Sequence, residues 1–169
     1  MRACSGTERD DSATQEELWM QKALKQAHVA AKRGEVPVGA VIIKDGKILA
    51  RAHNTRETSH DPTAHAEILA LQRAAKKLGG WRLSGCTLVV TMEPCPMCAG
   101  AAINARIERI VFGAYDEKAG CCGTVLDLTT QEKFNHRCEV TGGVMEGECR
   151  AVLRDFFVQR RKKKGQEKQ

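Results

Sequence analysis

One histidine and a pair of cysteines constrain this chain more than any other feature. Residues 65–67 read HAE, and about thirty residues later residues 94–98 read PCPMC. Imidazole nitrogen and thiolate sulfur are preferred ligands of zinc, and a catalytic zinc keeps only three protein ligands so that water occupies the fourth place. His65, Cys95 and Cys98 supply three such ligands. The fold is therefore expected to bring these two segments together around a zinc ion with one open place.

Glu67 adds a carboxylate that such a metal does not need as a ligand. It stands two residues from His65, too far round a helix to bind the same ion easily but close enough to reach its water as a proton shuttle. A lone C-x-x-C is also compatible with a structural zinc half-site or a redox pair, but the chain has no second C-x-x-C. H-x-E with P-C-x-x-C is the signature of zinc-dependent nucleobase deaminases. We predict a catalytic zinc site with Glu67 as its acid and base.

Length, charge and cysteine content narrow the class of protein. The chain has 169 residues, of which 42% are hydrophobic, enough for one domain with a substantial core. The formal net charge of +6 favours an anionic partner, although residues 160–164 alone supply a run of lysine and arginine. Eight cysteines without an apolar export segment indicate reduced thiols and a cytoplasmic location. No apolar run approaches the length of a membrane span.

Apolar periodicity predicts helices and strands in an α/β arrangement. We expect helices over 15–33, from 62 to about 78, from 94 onward, and over 146–161, and strands over 38–43, 48–52, 87–91, 109–114 and 139–145. An Asp45-Gly46 turn joins the first two strands. The second helix then carries His65 and Glu67 in its first turn, and the third carries both cysteines of the motif one turn apart. The last helix is expected to bury Phe156 and Phe157.

The chain shows no internal repeat and no linker that would divide it. We predict that residues 1–13 are a disordered extension, that 14–162 form a single zinc-deaminase domain, and that 163–169 are a basic tail. Glu93, directly before the metal motif, is either an active-site acid or a charge at a helix start. The sequence does not decide between these two roles, nor whether the basic tail contacts nucleic acid.

Five segments resemble the bacterial tRNA-specific adenosine deaminases. They are EVPVGAV at 35–41, HDPTAHAE at 60–67, EPCPMCAGA at 93–101, NHR at 135–137 and DFF at 155–157. The similarity extends over roughly residues 15–162. The zinc motif alone is shared with cytosine, cytidine and guanine deaminases, so the flanking and C-terminal segments are what narrow the resemblance.

The resemblance implies a three-layer α/β/α cytidine-deaminase-like fold with a mixed central sheet, one zinc ion per chain and a homodimer. It implies that the substrate is the wobble adenosine of a tRNA anticodon, which becomes inosine. It also implies that Asn54 contacts the target nucleoside, and that Asp116, Asn135 and Phe156 help to hold the anticodon loop.

Two alternatives stay open at this point. The first is a zinc deaminase of a free base such as guanine or cytosine, because EPCPMC serves either substrate class. The second is a non-catalytic RNA-binding or partner subunit that keeps zinc for stability. The presence of Glu67 argues against the second alternative. The basic C-terminal helix and the NHR and DFF segments, which a small substrate does not need, argue against the first.

Overall fold

The computed structural model describes residues 13–167, so that nearly all of the predicted N-terminal extension lies outside the described part of the chain. The helices are α1 (Gln15–Lys32), α2 (Arg56–Ser59), α3 (Ala66–Leu78), α4 (Pro96–Asn104) and α5 (Glu146–Gln166). The strands are β1 (Gly39–Lys44), β2 (Lys47–His53), β3 (Cys86–Met92), β4 (Arg109–Ala114) and β5 (Glu139–Thr141). Within residues 13–167, no helix combines the length and apolar character needed to cross a bilayer.

The five strands form one mixed sheet in the order β2-β1-β3-β4-β5. β1 pairs antiparallel with β2 and with β3, whereas β3, β4 and β5 are parallel. Val90 of β3 pairs with Ala40 on one side and with Phe112 on the other. β3, α4 and β4 therefore form a parallel crossover, and the predicted mixed character of the sheet is confirmed.

Helices cover both faces of the sheet. On one face, α1 and α5 pack against alternate strand residues such as Val41, Val89 and Val111. On the other face, α3 and α4 pack against the residues between them, including Leu88 and Val90. β3 is buried on both faces, which is why its sequence is a continuous apolar run. The predicted three-layer α/β/α architecture is confirmed.

Local sequence signals explain several of these elements. At the start of α1, the Glu17 N–H donates to Thr14 Oγ1 (3.2 Å) and the Thr14 N–H donates to Glu17 Oε2 (2.9 Å), which together form a capping box. Asp45 and Gly46 have φ of 50° and 70°, as a type I′ hairpin requires. A Cβ on Gly39 would lie 2.1 Å from the Ala23 carbonyl oxygen. Only glycine therefore allows α1 to lie directly on β1.

Two helices begin later than the sequence indicated. α3 begins at Ala66 rather than at residue 62, and its N-cap is His65. Asp61 does not cap the helix, because its Oδ1 accepts hydrogen bonds from the Thr63 N–H (2.8 Å) and hydroxyl (2.7 Å) and closes a separate turn. α4 begins at Pro96 rather than at residue 94, with Cys95 as N-cap. Each helix therefore starts directly after its first predicted metal ligand.

The final helix differs from the prediction at its C-terminal half. α5 continues to Gln166, so that residues 162–166 extend the helix into the predicted basic tail. Its contacts to the body of the protein are to β4 and α1, and Cys149 is its buried residue. Phe156 is half-buried and Phe157 is 42% exposed. The prediction that both phenylalanines are buried is wrong, because the second half of α5 extends past the sheet it packs on.

Candidate active site

His65, Cys95 and Cys98 form a compact donor cluster. The His65 Nδ1 atom lies 3.7 Å from Cys95 Sγ and 3.5 Å from Cys98 Sγ, and all three ligand atoms lie within 4.8 Å of one another. In a tetrahedral zinc site with Zn–S of about 2.3 Å and Zn–N of about 2.05 Å, nitrogen and sulfur ligands stand about 3.6 Å apart. The cluster therefore has the composition and spacing of three corners of a zinc tetrahedron.

Two helix N-termini deliver the cluster. His65 and Cys95 are the N-cap residues of α3 and α4, and neither side chain makes the hydrogen bond that usually caps a helix. Each helix start carries roughly half a positive charge. This field favours the thiolate form of a cysteine close to the helix start.

The pKa values of the two thiols shift in opposite directions. A hydrogen bond from Cys98, together with one from His65, lowers the pKa of Cys95 to about 4. The same Cys95–Cys98 interaction raises the pKa of Cys98, and burial raises it further. The cluster thus already stabilises one thiolate, which is the form that binds a metal.

Glu67 lies beside the cluster without belonging to it. The residue is only 4% exposed, and its Oε2 is a buried polar atom with no hydrogen-bond partner within residues 13–167. Burial raises its pKa to about 7. A carboxyl group whose pKa lies near neutrality can both accept and donate a proton at physiological pH. An unpartnered carboxylate oxygen beside three metal donors fits a proton-transfer group better than a structural one.

The cluster and Glu67 open into one cavity. Besides His65, Glu67 and Cys95, the cavity is lined by three apolar and four polar side chains: Val36, Val38, Met92, Asn54, Arg56, Glu93 and Asp116. A pocket with apolar walls and a few convergent polar groups is typical of small-molecule and nucleobase sites.

Asn54 joins the cavity to the start of α3. The residue is 7% exposed, and its side-chain Oδ1 accepts the Ala66 N–H at 2.8 Å. This bond caps the first turn of the helix, for which His65 provides no cap. The side-chain amide of Asn54 still has its N–H groups available to a ligand in the cavity.

The four residues predicted to contact substrate are divided between different surfaces. Asn54 and Asp116 line the cavity. Asn135 instead lies in a groove beside α4 that also contains Arg106 and Lys133. Phe156 lies in a groove between α1 and α5. The structure therefore brings only two of the four to the predicted metal ligands.

Some cavity residues were missed by the sequence reasoning. Arg56 belongs to the polar segment between β2 and α3, which shows no motif of its own, and the short helix α2 places it on the cavity. Glu93, for which the sequence left two roles open, also lines the cavity. Its carboxylate is 2% exposed and accepts hydrogen bonds from the backbone of the loop that follows β4. No spacing signal in the sequence distinguishes such a buried acceptor from an exposed charge.

Comparison with known proteins places the chain among deaminases. The profile of the MafB19-like deaminase family matches residues 14–161. A tRNA-specific adenosine deaminase of Bacillus subtilis (strain 168) is 55% identical over 151 residues, which are 89% of this chain and 94% of that protein. A tRNA-specific adenosine deaminase of Haemophilus influenzae is 46% identical over 154 residues, 90% of this chain and 89% of that protein.

Two solved structures that are similar to this chain are also deaminases. A structure from a study of A-to-I editing by tRNA:A34 deaminases at the wobble position is 41% identical with a TM-score of 0.78, over 80% of this chain and 99% of that chain. A guanine deaminase from Bacillus subtilis is 42% identical with a TM-score of 0.56, over 59% of this chain and 64% of that chain.

Proposed function

This chain belongs to the family of tRNA-specific adenosine deaminases, and we propose that it hydrolyses the wobble adenosine of a tRNA anticodon to inosine, with release of ammonia. The observation that carries the proposal is the 55% identity to the Bacillus subtilis relative over 89% of the chain. The donor cluster and Glu67 support deamination as the reaction class, because P-C-x-x-C with H-x-E serves several nucleobases.

In this proposal, His65, Cys95 and Cys98 hold one zinc ion per chain. Their spacing fits a zinc tetrahedron with one open corner, and Oε2 of Glu67 is the unpartnered acceptor nearby. When bound, zinc lowers the pKa of a coordinated water to about 7 and so supplies hydroxide at neutral pH.

Glu67 moves the protons of the reaction. Its carboxylate takes a proton from the attacking water and delivers it to N1 of the adenine ring as the C6–O bond forms. A second proton passes through the same carboxylate from the new hydroxyl on C6 to the amino group, which leaves as ammonia. The balance is adenosine plus water giving inosine plus ammonia. Glu67 is buried and has no ion-pair partner among residues 13–167, which suits a group that must hold a proton in one step and release it in the next.

Asn54 holds the start of α3 and also binds the substrate. Its Oδ1 is engaged with the Ala66 N–H, which leaves the amide N–H groups to donate to acceptor atoms of the nucleoside. Val36, Val38 and Met92 give the purine apolar walls. An anticodon base enters such a cavity at an unstacking cost of a few kcal/mol.

Contacts outside the cavity complete the proposal. Phe156 shares its groove with Lys32, Arg160 and Lys163, whose cations suit the phosphates of the anticodon loop. Asp116 at the cavity and Asn135 beside α4 are assigned as further contacts to the anticodon loop.

We also propose that the protein is a homodimer, which sedimentation or light scattering tests directly. Val125 and Leu126, 48% and 58% exposed, give apolar surface that a second copy would cover.

A turnover assay of the zinc-loaded protein tests the function. A tRNA anticodon stem-loop with wobble adenosine is compared with free adenosine, guanine, cytosine and cytidine, and inosine and ammonia are measured. Inosine formed only in the RNA supports the proposal. Ammonia released from free guanine with the RNA unchanged would assign the chain to the activity of the guanine deaminases that it also resembles. Glu67→Gln with zinc bound is the inactive control.

A further inference from the structure

Two buried carboxylates that take no part in the reaction border the cavity. We propose that Glu93 and Glu35 are positioning residues that anchor the two loops which carry Asp116 and Arg56 to the cavity. Both are nearly inaccessible, at 2% and 1% exposure, and within residues 13–167 neither forms an ion pair. What each carboxylate binds instead is a set of backbone N–H groups.

Glu93 gathers the loop after β4. Its carboxylate accepts the N–H of Asp116 (3.1 Å), of Cys122 (3.1 Å) and of Thr124 (3.1 Å), and also the hydroxyl of Thr124 (2.5 Å). Hydrogen bonds to an ionised acceptor are stronger than those between neutral groups. Four donors from one loop on one carboxylate therefore fix the whole segment 116–124 relative to the end of β3.

Gly120 shows how closely this loop is wrapped around Glu93. A Cβ at Gly120 would lie 2.3 Å from Glu93 Oε2 and 2.6 Å from the Asp116 carbonyl oxygen. A further bond runs from the Cys121 N–H to the Pro94 carbonyl, at 2.9 Å. The loop is shaped around the carboxylate rather than merely touching it.

The position of Glu93 links the loop to the proposed metal site. It stands two residues before Cys95 in the chain, and the first residue it binds, Asp116, lines the same cavity. The sheet does not need this connection, because β3 and β4 are already paired as far as Met92 and Ala114. The role of Glu93 therefore lies in the geometry of the cavity wall.

Glu35 makes a matching arrangement at α2. Its carboxylate accepts the Glu57 N–H (3.1 Å), the Thr58 N–H (2.7 Å) and the Thr58 hydroxyl (2.9 Å). The N-cap residue of α2 makes no side-chain cap of its own, so Glu35 satisfies these donors from outside. Arg56, in this turn, and Val36, next to Glu35, both line the cavity. One carboxylate thus holds a cationic and an apolar lining residue in fixed positions.

The two anchored loops present an acidic and a basic side chain beside the reacting base. In terms of the proposed function, on which this step rests, they receive the nucleotides that flank the adenosine rather than the adenine itself. Loosening an anchor is therefore expected to weaken binding of the RNA while leaving the chemical step largely intact.

Glu93→Gln tests the anchor with little change in shape. Glutamine keeps one acceptor oxygen but turns an NH2 group toward backbone N–H donors, leaving at least one of them unsatisfied. In zinc-loaded protein, hydrogen exchange measured by mass spectrometry is expected to rise about tenfold or more in the 116–124 segment and to stay unchanged elsewhere. With stem-loop RNA, KM is expected to rise about tenfold while kcat stays within about threefold.

Matched variants separate anchoring from general damage. Glu35→Gln is expected to raise exchange in residues 55–59 instead. Thr124→Val removes one donor and leaves the carboxylate in place, so it is expected to give a smaller change in the same segment as Glu93→Gln, which preserves the test should Glu93→Gln fail to fold. Glu117→Gln, on an exposed residue of the same loop, is expected to change neither exchange nor KM.

Three results would overturn the proposal: unchanged exchange and KM in Glu93→Gln, increased exchange spread over the whole chain, or a loss of bound zinc with kcat falling in proportion. The exchange measurement needs no turnover. A wild-type protein inactive on RNA therefore refutes the proposed function while the exchange data still decide whether the carboxylates anchor their loops.

Discussion

Asn54 gives the sharpest test of how the site is held together, because the oxygen of its side-chain amide caps a helix and the nitrogen is proposed to bind the substrate. Its Oδ1 accepts the Ala66 N–H at 2.8 Å in a position that is 7% exposed. Asn54→Ala removes the acceptor and leaves the first N–H of α3 unsatisfied, since His65 supplies no cap. Loss of such a cap costs about 1–2 kcal/mol in the free energy of unfolding. The ratio of folded to unfolded protein then falls by roughly tenfold.

Asn54→Asp separates the helix-capping role of Asn54 from its proposed role as a donor to the substrate. Aspartate keeps an acceptor at the helix start, where a negative charge is favourable by about 0.3–1 kcal/mol. It has no N–H groups to donate to the nucleoside. We therefore expect Asn54→Asp to unfold within about 1 kcal/mol of wild type, and both variants to lose at least about tenfold in kcat/KM.

Urea unfolding of the zinc-loaded proteins measures how much the Asn54 cap contributes to stability. The urea midpoint of Asn54→Ala is expected to fall with an unchanged m-value. Asn104→Ala, at an exposed position of α4, serves as the control and is expected to unfold like wild type. Equal stability of Asn54→Ala and wild type would refute the capping role. Full activity of Asn54→Asp would refute the role of the amide as a donor to substrate.

Other perturbations address the remaining parts of the site and fold. Glu67→Gln is expected to keep about one zinc per chain and to lose turnover, whereas Cys98→Ser is expected to lose the metal; metal analysis checks both, and a zinc-free Glu67→Gln protein would show Glu67 to be a ligand. Gly39→Ala is expected to lower the free energy of unfolding by about 3 kcal/mol, measured by urea titration, because the new Cβ would lie 2.1 Å from the Ala23 carbonyl oxygen. If residues 160–164 bind about five phosphates, log K for tRNA falls with log salt with a slope of roughly −3 to −4; neutralising them should bring the slope toward zero, and an unchanged slope would remove them from RNA binding.

The donors of the proposed metal site were predictable because their chemistry is visible in residue type and spacing. His65, Cys95 and Cys98 have few other roles in such a pattern, and each side of the motif follows a segment with clear strand character. Apolar periodicity predicted the individual helices and strands, whereas the three-layer architecture with its mixed sheet was implied by the resemblance to the tRNA-specific adenosine deaminases. Asp45-Gly46 predicted its turn because few residues adopt positive φ easily.

The starts of α3 and α4 were not predictable from local signals. Asp61 before a proline is an equally good start for a helix or for a tight turn, and tertiary contacts decide between them. Here the Asn54 side chain binds the Ala66 N–H, which favours a helix that starts after His65. The burial of Phe156 and Phe157 in the second half of α5 was predicted wrongly for a different reason. A helical pattern shows which side chains share a face, but within residues 13–167 no neighbouring layer covers Phe157.

The proposed anchoring role of the two carboxylates was also not predictable from the sequence. Glu35 and Glu93 look like ordinary charges at the ends of elements, and their partners are backbone N–H groups that every residue carries. Sequence patterns report side chains, so a side chain whose function is to bind backbone leaves no complementary signature.

The use of His65 and Cys95 as N-caps has a consequence for engineering by library selection. Serine, aspartate or asparagine at an N-cap stabilises a helix by about 1 kcal/mol relative to residues that do not cap, and neither native side chain caps its helix. In chelator-treated samples, a screen that scores only heat resistance is therefore expected to enrich aspartate or serine at both positions. The selected variants would have lost two of the three proposed metal donors. Selection for robustness without zinc in the medium would thus remove the activity it was meant to preserve.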